Sequence, residues 1–371
     1  MRTLHALTML LSMLVAPLLF GEEKEIDPRI ETFFQPPSEF ANDFGGLRSP
    51  LKFEDGTEVA TADEWPQRRD EIRKAWFELM GPWPELIEKP EVEYLDKEAR
   101  DNFTEYHLRI EIAPKRKADD VYLLVPEGKG PFPAVLVVFY DAKSGTGQND
   151  RPMCDFAYQL AKRGFVTLSV GGVQKYYPNE KECQLQPLSY LAYQAANCCN
   201  LLANLDYVDG NKIGVMGHSY GGKWAMFASC LYDKFACGVW SDGGVVFDEK
   251  RANVNYWEPW YLGFEPGQAQ RKEGMVTEQN PRTGAYKKMI EAGRNLQELQ
   301  ALMAPRPFLV SGGGEDRPHR WNVLNHAVAV NKLLGFENRV AMTNRQDHRP
   351  TPESNEQAYL FFEQFLKPPA P

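Results

Sequence analysis

Histidine and cysteine are both scarce in this chain of 371 residues, with six of each. No CxxC pair and no HExxH sequence occurs, so the common patterns of structural zinc sites and zinc peptidases are missing. Six cysteines are too few for a disulfide scaffold at this length, although they are compatible with one or two bridges. We expect no metal and no other cofactor.

The chain also lacks an excess of positive charge. Its 51 acidic residues outnumber 42 basic ones, the net charge is -9, and the two signs are mixed along the sequence. Nucleic acids and anionic membranes attract basic proteins, so we expect neither as a partner. A small or neutral substrate fits this charge better, and we expect a monomer.

The amino terminus has the layout of a secretory signal peptide. Residues 1–21 place one arginine before an apolar stretch that ends at Gly21, as such signals do. The stretch is short for a membrane-spanning helix, and the alternative is a signal anchor that stays attached. We expect a secreted or periplasmic protein with no membrane contact after the signal is removed.

The rest of the chain shows no internal repeat and no linker that would divide it. Residues 22–60, rich in proline, phenylalanine and acids, predict an extended arm. Residues 61–371 predict a single domain that opens with a helix. Thr61 is its N-cap, Glu64 follows three residues later, and Gly81 ends it.

Strand and helix patterns alternate after residue 103 and predict an α/β protein. "FTEYHLRIEIA" and "DDVYLLVPEG" alternate like paired strands, and "FPAVLVVFYD" is typical of a strand buried on both faces. Helical segments then separate further strand-like runs. This order predicts a mostly parallel central sheet flanked by helices. Residues 244–298 break the pattern and predict an aromatic-rich cap near the carboxyl ends of the strands.

The segment from Gly217 to Gly222, "GHSYGG", predicts a nucleophile. Ser219 lies between the strand-like "KIGVM" and the helix-like "KWAMFASC". Glycines let a strand turn sharply into a helix and leave the serine hydroxyl above the sheet, which is the nucleophile elbow of the α/β-hydrolase fold. The alternative is a glycine turn in which Ser219 has no chemical role.

A serine nucleophile needs a base and a carboxylate that orients the base. His348 lies between the last predicted strand and the last helix, where this fold places its base. Asp316 follows the strand "PFLVSGG" and is our first choice for the acid, because it gives the chain order Ser, Asp, His. Asp242, after the preceding strand, is the alternative.

Acyl transfer also needs two donors for the oxyanion. We expect the backbone N–H of Tyr220 to be one. The loop after "FPAVLVVFYD" should supply the second, from the stretch Tyr140 to Ala142, and the sequence leaves open which amide points inward.

The motifs resemble those of secreted α/β-hydrolases in the acetyl xylan esterase and dienelactone-hydrolase-like group, often placed with prolyl-oligopeptidase-type hydrolases. The resemblance covers residues 55–368 and rests on "WPQRRDEIRKAW", "GHSYGGKWA", "LMAPRPFLVSGGGED" and His348. It implies a serine esterase that uses Ser219, Asp316 and His348. Dienelactone hydrolases proper use a cysteine where this chain has Ser219.

The chain is also similar to glucuronoyl esterases, which carry a lysine four residues after the nucleophile, here Lys223. Those enzymes have Cys-Ser-Arg at the elbow, and the arginine helps to hold the oxyanion. This chain has Tyr220 in place of that arginine. The resemblance implies that Lys223 binds a sugar hydroxyl or carboxylate of the substrate.

An aromatic block in the predicted cap offers further substrate contacts. Trp257, Glu258 and Trp260 lie between Tyr256 and Tyr261, and amphipathic rings of this kind suit the apolar faces of pyranoses. The alternative is that these rings pack the cap onto the body of the protein.

Three functions compete. The first is a secreted ester hydrolase that acts on acylated or esterified carbohydrate through an acyl-enzyme on Ser219. The second is a serine peptidase of the prolyl oligopeptidase type, although no propeller repeat precedes Ser219. The third is a non-catalytic carbohydrate-binding protein on a hydrolase fold.

Overall fold

A computed structural model describes residues 25–172, 185–251, 261–265, 272 and 274–368. The strands in these ranges are β1 Val92–Arg100, β2 Phe103–Ala113, β3 Arg116–Pro126, β4 Phe132–Val138, β5 Val166–Val170, β6 Val208–His218, β7 Cys237–Ser241, β8 Phe308–Gly312 and β9 Val340–Asn344. The helices are α1 Trp65–Met80, α2 Ala142–Gly145, α3 Phe156–Lys162, α4 Pro187–Ala203, α5 Tyr220–Leu231, α6 Gly284–Glu291, α7 Leu296–Ala301, α8 Trp321–Leu333 and α9 Pro352–Leu366.

All these strands join one sheet in the order β1-β2-β3-β5-β4-β6-β7-β8-β9. Strands β1, β2, β3 and β5 pair antiparallel, and from β5 through β4 to β9 every pairing is parallel. The predicted mostly parallel sheet is therefore confirmed. Because parallel strands end at the same edge, the loops after β4, β6, β7, β8 and β9 meet there.

Helices cover both faces of the sheet, as parallel sheets require. Apolar residues of α1, α4, α5, α7 and α8 pack in the core on one face. Residues of α3 and α9 form the core on the other face, joined by Phe33 and Phe34 from the chain before α1. Every residue of α5 is buried, so the helix that follows Ser219 is held firmly.

The predicted capping box and the end of the first helix are confirmed, whereas α1 itself begins at Trp65, later than predicted. The Glu64 carboxylate accepts hydrogen bonds from the amides of Ala60 (2.8 Å) and Thr61 (2.9 Å), which completes a capping box. A short 3-10 turn, Ala62–Glu64, leads into α1. The helix ends at Gly81, whose φ of 88° only glycine adopts readily.

The cysteines of the described ranges are structural. Five of them, Cys154, Cys198, Cys199, Cys230 and Cys237, are buried and free, while Cys183 lies outside the described residues. Burial raises the pKa of Cys198 to about 12, as expected for a thiol packed in an apolar core. No helix in this part of the chain has the length and apolar character needed to cross a bilayer. The predicted signal, residues 1–21, lies outside it.

A buried ion network fastens the segment before α1 to the body. Arg68 of α1 bonds Glu298 of α7 at 2.7 Å and Glu54 of the arm at 2.6 Å. Arg294 bonds the other oxygen of Glu298 at 2.8 Å. The side chains of Arg68 and Glu298 are fully buried, so neither charge has water to replace a lost partner.

We expect Glu298→Gln to lower the free energy of unfolding by up to about 3 to 5 kcal/mol, because Arg68 keeps Glu54 but loses the one partner that is fully buried with it. Urea denaturation measures this loss. The matched control is Glu93→Gln, which breaks an exposed pair with Arg109 and should change stability little. Equal effects of the two substitutions would show that the buried network does not hold the arm.

Candidate functional site

Ser219 lies at the turn between β6 and α5, with φ of 59° and ψ of -123°. A positive φ is uncommon for a residue with a side chain, and because it costs roughly 1 to 3 kcal/mol it persists only where the surroundings impose it. Here they do, because the Ser219 amide donates to the carbonyl of Ser241 at 2.8 Å. The turn therefore has the strained geometry of a nucleophile elbow.

The glycines of the elbow are required by close backbone contacts. A Cβ atom added to Gly217 would lie 2.3 Å from the carbonyl oxygen of Gly221, and one added to Gly221 would lie 2.3 Å from that of Val138. A Cβ atom added to Gly222 would likewise lie 2.7 Å from the carbonyl oxygen of Ser241. The spacing of glycines therefore reflects packing of β6 and α5 against the ends of β4 and β7.

His348 lies in the loop between β9 and α9, as predicted, and reaches Ser219. Its Nε2 is 2.9 Å from Ser219 Oγ, and its Nδ1 is 2.6 Å from Asp242 Oδ2. A carboxylate oxygen only accepts, so Nδ1 carries the proton and Nε2 is left to accept from the serine hydroxyl. The structure thus joins a hydroxyl, an imidazole and a carboxylate in one chain of hydrogen bonds.

The carboxylate beside His348 is Asp242, the alternative, and not Asp316. Asp242 follows β7 at a φ of 48° and is fully buried. Its oxygens also accept from the amides of Gly313 (2.7 Å), Glu315 (3.0 Å) and Asp316 (2.8 Å). Burial raises the pKa of Asp242, but the bonds from His348 and these amides outweigh burial and hold that pKa below its ordinary value.

The structure differs from the expectation for Asp316 because both of its oxygens are engaged elsewhere. Oδ2 accepts from the amide of Gly244 and Oδ1 from that of Val245, each at 2.8 Å. Burial and the nearby charge of Asp242 raise the pKa of Asp316 to about 6. Asp316 therefore supports the turn after Asp242 and makes no direct bond to His348.

Lys223 lies beneath the same turn. Its side chain is 1% exposed, donates to the carbonyl of Gly244 and faces the ring of Phe247 at 5.3 Å. Burial lowers its pKa to about 7, against the opposing charge of Asp316. This burial gives no support to the expected contact of Lys223 with substrate. The other expected substrate contacts, Trp257, Glu258 and Trp260, lie outside the described residues.

The expected oxyanion donors differ in whether their backbone amides already have an acceptor. Tyr220 is the first residue of α5, where helix amides lack intrahelical acceptors. The amide of Ala142 donates to Asp120 Oδ2 at 3.2 Å, so Ala142 is a wrong choice: its N–H is already committed to a carboxylate. Of the expected stretch, Tyr140 and Asp141 remain, and the ring of Tyr140 lies 6.2 Å from that of Tyr220.

Two neighbours of the triad were not assigned a role from the sequence. His218 packs its ring 4.7 Å from that of His348, and its Nδ1 lies 3.1 Å from Ser241 Oγ. Burial and the adjacent His348 lower the pKa of His218 to about 3, so it is neutral and cannot compete as a base. Arg345 bonds the carbonyl of His348 at 2.7 Å; no motif marks it.

Within the described ranges no three His, Cys, Asp or Glu side chains are grouped so as to hold a metal ion. The groups that meet at this edge of the sheet are the hydroxyl of Ser219, the imidazole of His348 and the carboxylate of Asp242. Their order and spacing are those of a serine nucleophile with its base and orienting acid.

Comparison with protein families gives one match to this part of the chain. A family model described as the prolyl oligopeptidase family matches residues 158–367, which is more than half of the chain and includes Ser219, Asp242 and His348. No curated protein sequence matches significantly.

Several solved structures share the fold. A glucuronoyl esterase from Solibacter usitatus has a TM-score of 0.65 and 18% identity, over 87% of this chain and 98% of its own. A family 15 carbohydrate esterase, a glucuronoyl esterase from Caldicellulosiruptor kristjansonii, has a TM-score of 0.61 and 20% identity. The match covers 90% of this chain and 93% of its own. The glucuronoyl esterase catalytic domain from Hypocrea jecorina has a TM-score of 0.57 and 16% identity. The match covers 86% of this chain and 90% of its own. The predicted α/β-hydrolase fold is confirmed.

We expect His218 to make stability depend on pH. Its pKa in the fold, about 3, is below the ordinary value of 6.5, so the unfolded chain binds the extra proton first as pH falls. Between pH 6 and pH 4 the wild type should therefore lose about 1.4 kcal/mol per pH unit relative to His218→Asn. Urea denaturation at several pH values measures the difference.

Phe139→Leu is the control for this pH series, because Phe139 stacks on His218 but does not titrate. Its loss of stability relative to wild type should be the same at every pH. A difference between wild type and His218→Asn that stays constant from pH 6 to pH 4 would contradict the assignment of a neutral, buried His218.

Proposed function

Because the chain belongs to the prolyl oligopeptidase family of serine hydrolases, we propose that it is a carboxylic-ester hydrolase with Ser219 as nucleophile. The observation that carries the proposal is the unbroken chain of hydrogen bonds from Asp242 through His348 to Ser219, at 2.6 and 2.9 Å. Nucleophile, base and orienting acid come from the ends of three parallel strands, and each has the partner that its role requires.

In the proposed reaction Ser219 Oγ attacks the ester carbonyl carbon while His348 Nε2 takes the hydroxyl proton. Asp242 stabilises the imidazolium through its bond to Nδ1. When the tetrahedral intermediate collapses, His348 returns the proton to the departing alcohol and an acyl-enzyme remains on Ser219. A water molecule then attacks the acyl carbon, His348 again takes and returns a proton, and the carboxylic acid leaves.

For the oxyanion we propose the backbone amides of Tyr220 and Tyr140. The amide of Tyr220 stands at the amino end of the twelve-residue helix α5, where the helix dipole favours a negative charge. Tyr140 lies two residues beyond the end of β4, which is next to β6 in the sheet. Two such donors act in a site where the surrounding backbone is already fixed.

For the substrate we propose an acylated or esterified carbohydrate. Solved structures with the same fold include several glucuronoyl esterases, and the aromatic block with Trp257, Glu258 and Trp260 supplies rings suited to sugars. Tyr220 stands in place of the elbow arginine of glucuronoyl esterases, which favours an ester other than that of glucuronic acid. We propose that the enzyme is a monomer that acts outside the cytoplasm after loss of residues 1–21.

Two further parts of the proposal concern the layout of the chain and its neighbours. We propose an arm at residues 22–60, a hydrolase domain at residues 61–371 and a cap at residues 244–298, of which α6 and α7 are described. A serine peptidase is the second candidate, because the matching family is named for oligopeptidases. A purely binding protein would have no need of the intact bonds between Ser219, His348 and Asp242.

We expect Ser219→Ala to abolish hydrolysis of a chromogenic acetate ester, because Ala has no nucleophile to form the acyl-enzyme. The measurement is release of the chromophore by the purified wild type and variant. Ser229→Ala is a matched control, since Ser229 lies at the far end of α5, buried and bonded to Ala225. Equal rates for Ser219→Ala and wild type would remove the hydrolase proposal.

Two isosteric substitutions distinguish the roles of the buried carboxylates Asp242 and Asp316. Asp242→Asn should lower kcat by about 10⁴, because an amide in place of the carboxylate favours the wrong imidazole tautomer. Asp316→Asn should lower stability and reduce kcat far less, since Asp316 bonds backbone amides and not His348. A larger kcat loss in Asp316→Asn than in Asp242→Asn would reverse the assignment.

A substrate panel tests the chemical class. Acetylated xylan, a methyl glucuronate ester and a prolyl anilide differ in acyl group and in the bond that is broken. We expect the highest kcat/KM on an ester and little or no cleavage of the anilide. Preference for the anilide would favour the peptidase alternative.

A further inference from the structure

Arg345 is the first residue after β9 and begins the loop that carries His348. Its backbone amide donates to the carbonyl of Gly312 at 3.0 Å, which continues the pairing of β9 with β8. From this anchored backbone the Arg345 side chain extends to the backbone carbonyls of the His348 loop. Desolvation lowers the pKa of Arg345, but an arginine stays charged in proteins.

The guanidinium joins the His348 loop to the ends of β7 and β8. Toward the His348 loop, Nη2 donates to the carbonyl of His348 at 2.7 Å and Nε to that of Arg349 at 2.9 Å. Toward the end of β8, Nη1 donates to the carbonyl and hydroxyl of Ser311 at 2.8 and 3.1 Å and to the carbonyl of Gly312 at 3.3 Å. Toward β7, Nη2 lies 3.3 Å from Ser241 Oγ.

The imidazole needs this support because its own side chain is 45% exposed. Packing therefore fixes only part of the ring, and its two side-chain bonds, to Ser219 and Asp242, hold it only if the backbone beneath stays in place. Bonds from a charged donor are stronger than those between neutral groups. A planar guanidinium spreads five donors over three nitrogen atoms, whereas a lysine ammonium has three donors on one atom and cannot reach acceptors on all these sides.

We propose that Arg345 is a positioning residue that holds the backbone of His348 so that Nε2 stays within hydrogen-bond distance of Ser219. The proposal rests on the proposed function, since it deepens the account of the same site. Arg345 bonds Ser241 and Ser311, the residues at or next to the ends of β7 and β8, and thereby ties the base to the strands that carry Asp242 and its supporting amides.

The test measures how fast Ser219 reacts with a fluorophosphonate probe. In that reaction a bond forms between Ser219 Oγ and phosphorus, the P–F bond breaks, His348 takes the serine proton and fluoride leaves. The rate reports activation of Ser219 by His348 and requires no knowledge of the natural ester. For Arg345→Lys we expect a labelling rate lower by about 10- to 100-fold, the scale of loss for a displacement near 1 Å.

A matched control comes from another buried arginine that bonds several carbonyls. Arg306 lies before β8, at the opposite edge of the sheet, and donates to the carbonyls of Ser229 (2.8 Å), Tyr232 (3.4 Å) and Phe235 (2.9 Å). Arg306→Lys should lower the thermal midpoint yet keep the labelling rate of the folded protein within about twofold of wild type. Ester kinetics should show a fall in kcat with KM nearly unchanged for Arg345→Lys alone.

Equal rate losses in Arg345→Lys and Arg306→Lys, or an unchanged rate in Arg345→Lys, overturn the proposal. If Arg345→Lys does not fold, Ser311→Ala is the deciding variant, because it removes one acceptor of the Arg345 guanidinium. We expect it to slow labelling two- to fivefold. An unchanged labelling rate would count against a positioning role for Arg345. Wild type that is labelled at Ser219 but cleaves no ester refutes the ester hydrolase and leaves the Arg345 comparison intact. Wild type that is not labelled refutes both.

Discussion

The backbones of β6, α5 and β7 approach each other more closely than any Cβ atom would allow, and the site depends on this contact. Added Cβ atoms would lie 2.7 Å from the Ser241 carbonyl oxygen at Gly222 and 2.6 Å from the Lys223 nitrogen at Gly243. Together with the bond from the Ser219 amide to Ser241, this contact places the end of β7 directly beside the nucleophile. The carboxylate of Asp242, one residue further, is thereby placed within reach of the base.

The loops after β7 and β8 hold each other through an exchange of hydrogen bonds. Asp242 of the first loop accepts from amides of the second, while Asp316 of the second accepts from amides of the first. Each carboxylate satisfies backbone donors that would otherwise be buried without a partner. Lys223 of α5 bonds the carbonyl of Gly244 beneath them, so the helix after the nucleophile also holds this turn.

The two carboxylates are both buried, yet their pKa values move in opposite directions. Burial acts to raise both. Asp242 has the imidazole of His348 and three amides, which together favour the ionised form and lower its pKa. Asp316 has two amides and the repulsion of Asp242, and its pKa rises to about 6. The acid that contacts the base is therefore the one whose pKa is lowered, which is the arrangement needed to stabilise an imidazolium.

Most of the fold could be predicted because its signals are local. Apolar runs mark the strands, the capping box marks the start of α1, and glycines mark the elbow around Ser219. The position of His348 followed from chain order. Asp242 and Asp316 could not be separated in this way, because each follows a strand of the same edge. The φ of 48° at Asp242 and the amides that surround each carboxylate decide between them, and neither is visible in a sequence.

Longer-range contacts explain the other differences. Ala142 was a reasonable donor by position, but its amide meets Asp120, which comes from β3. Arg345 has no motif, since a long side chain can bond a loop and two strand ends from almost any starting point near them. Both depend on how distant segments meet at the carboxyl edge, and the sequence pattern carries no record of the direction of a single amide or guanidinium.

The residue after the nucleophile shows how the site differs from that of glucuronoyl esterases. The resemblance to those enzymes implies an arginine at this position that helps to hold the oxyanion, whereas Tyr220 is 2% exposed and its ring packs against that of Tyr261 at 4.8 Å. A buried ring offers no charge to the substrate, but it fixes the backbone that bears its amide. Stabilisation of the oxyanion in the proposed reaction then depends on rigid amides and the dipole of α5, which act on any ester carbonyl. The acyl and alcohol groups must be selected elsewhere, by the residues that line the approach to Ser219.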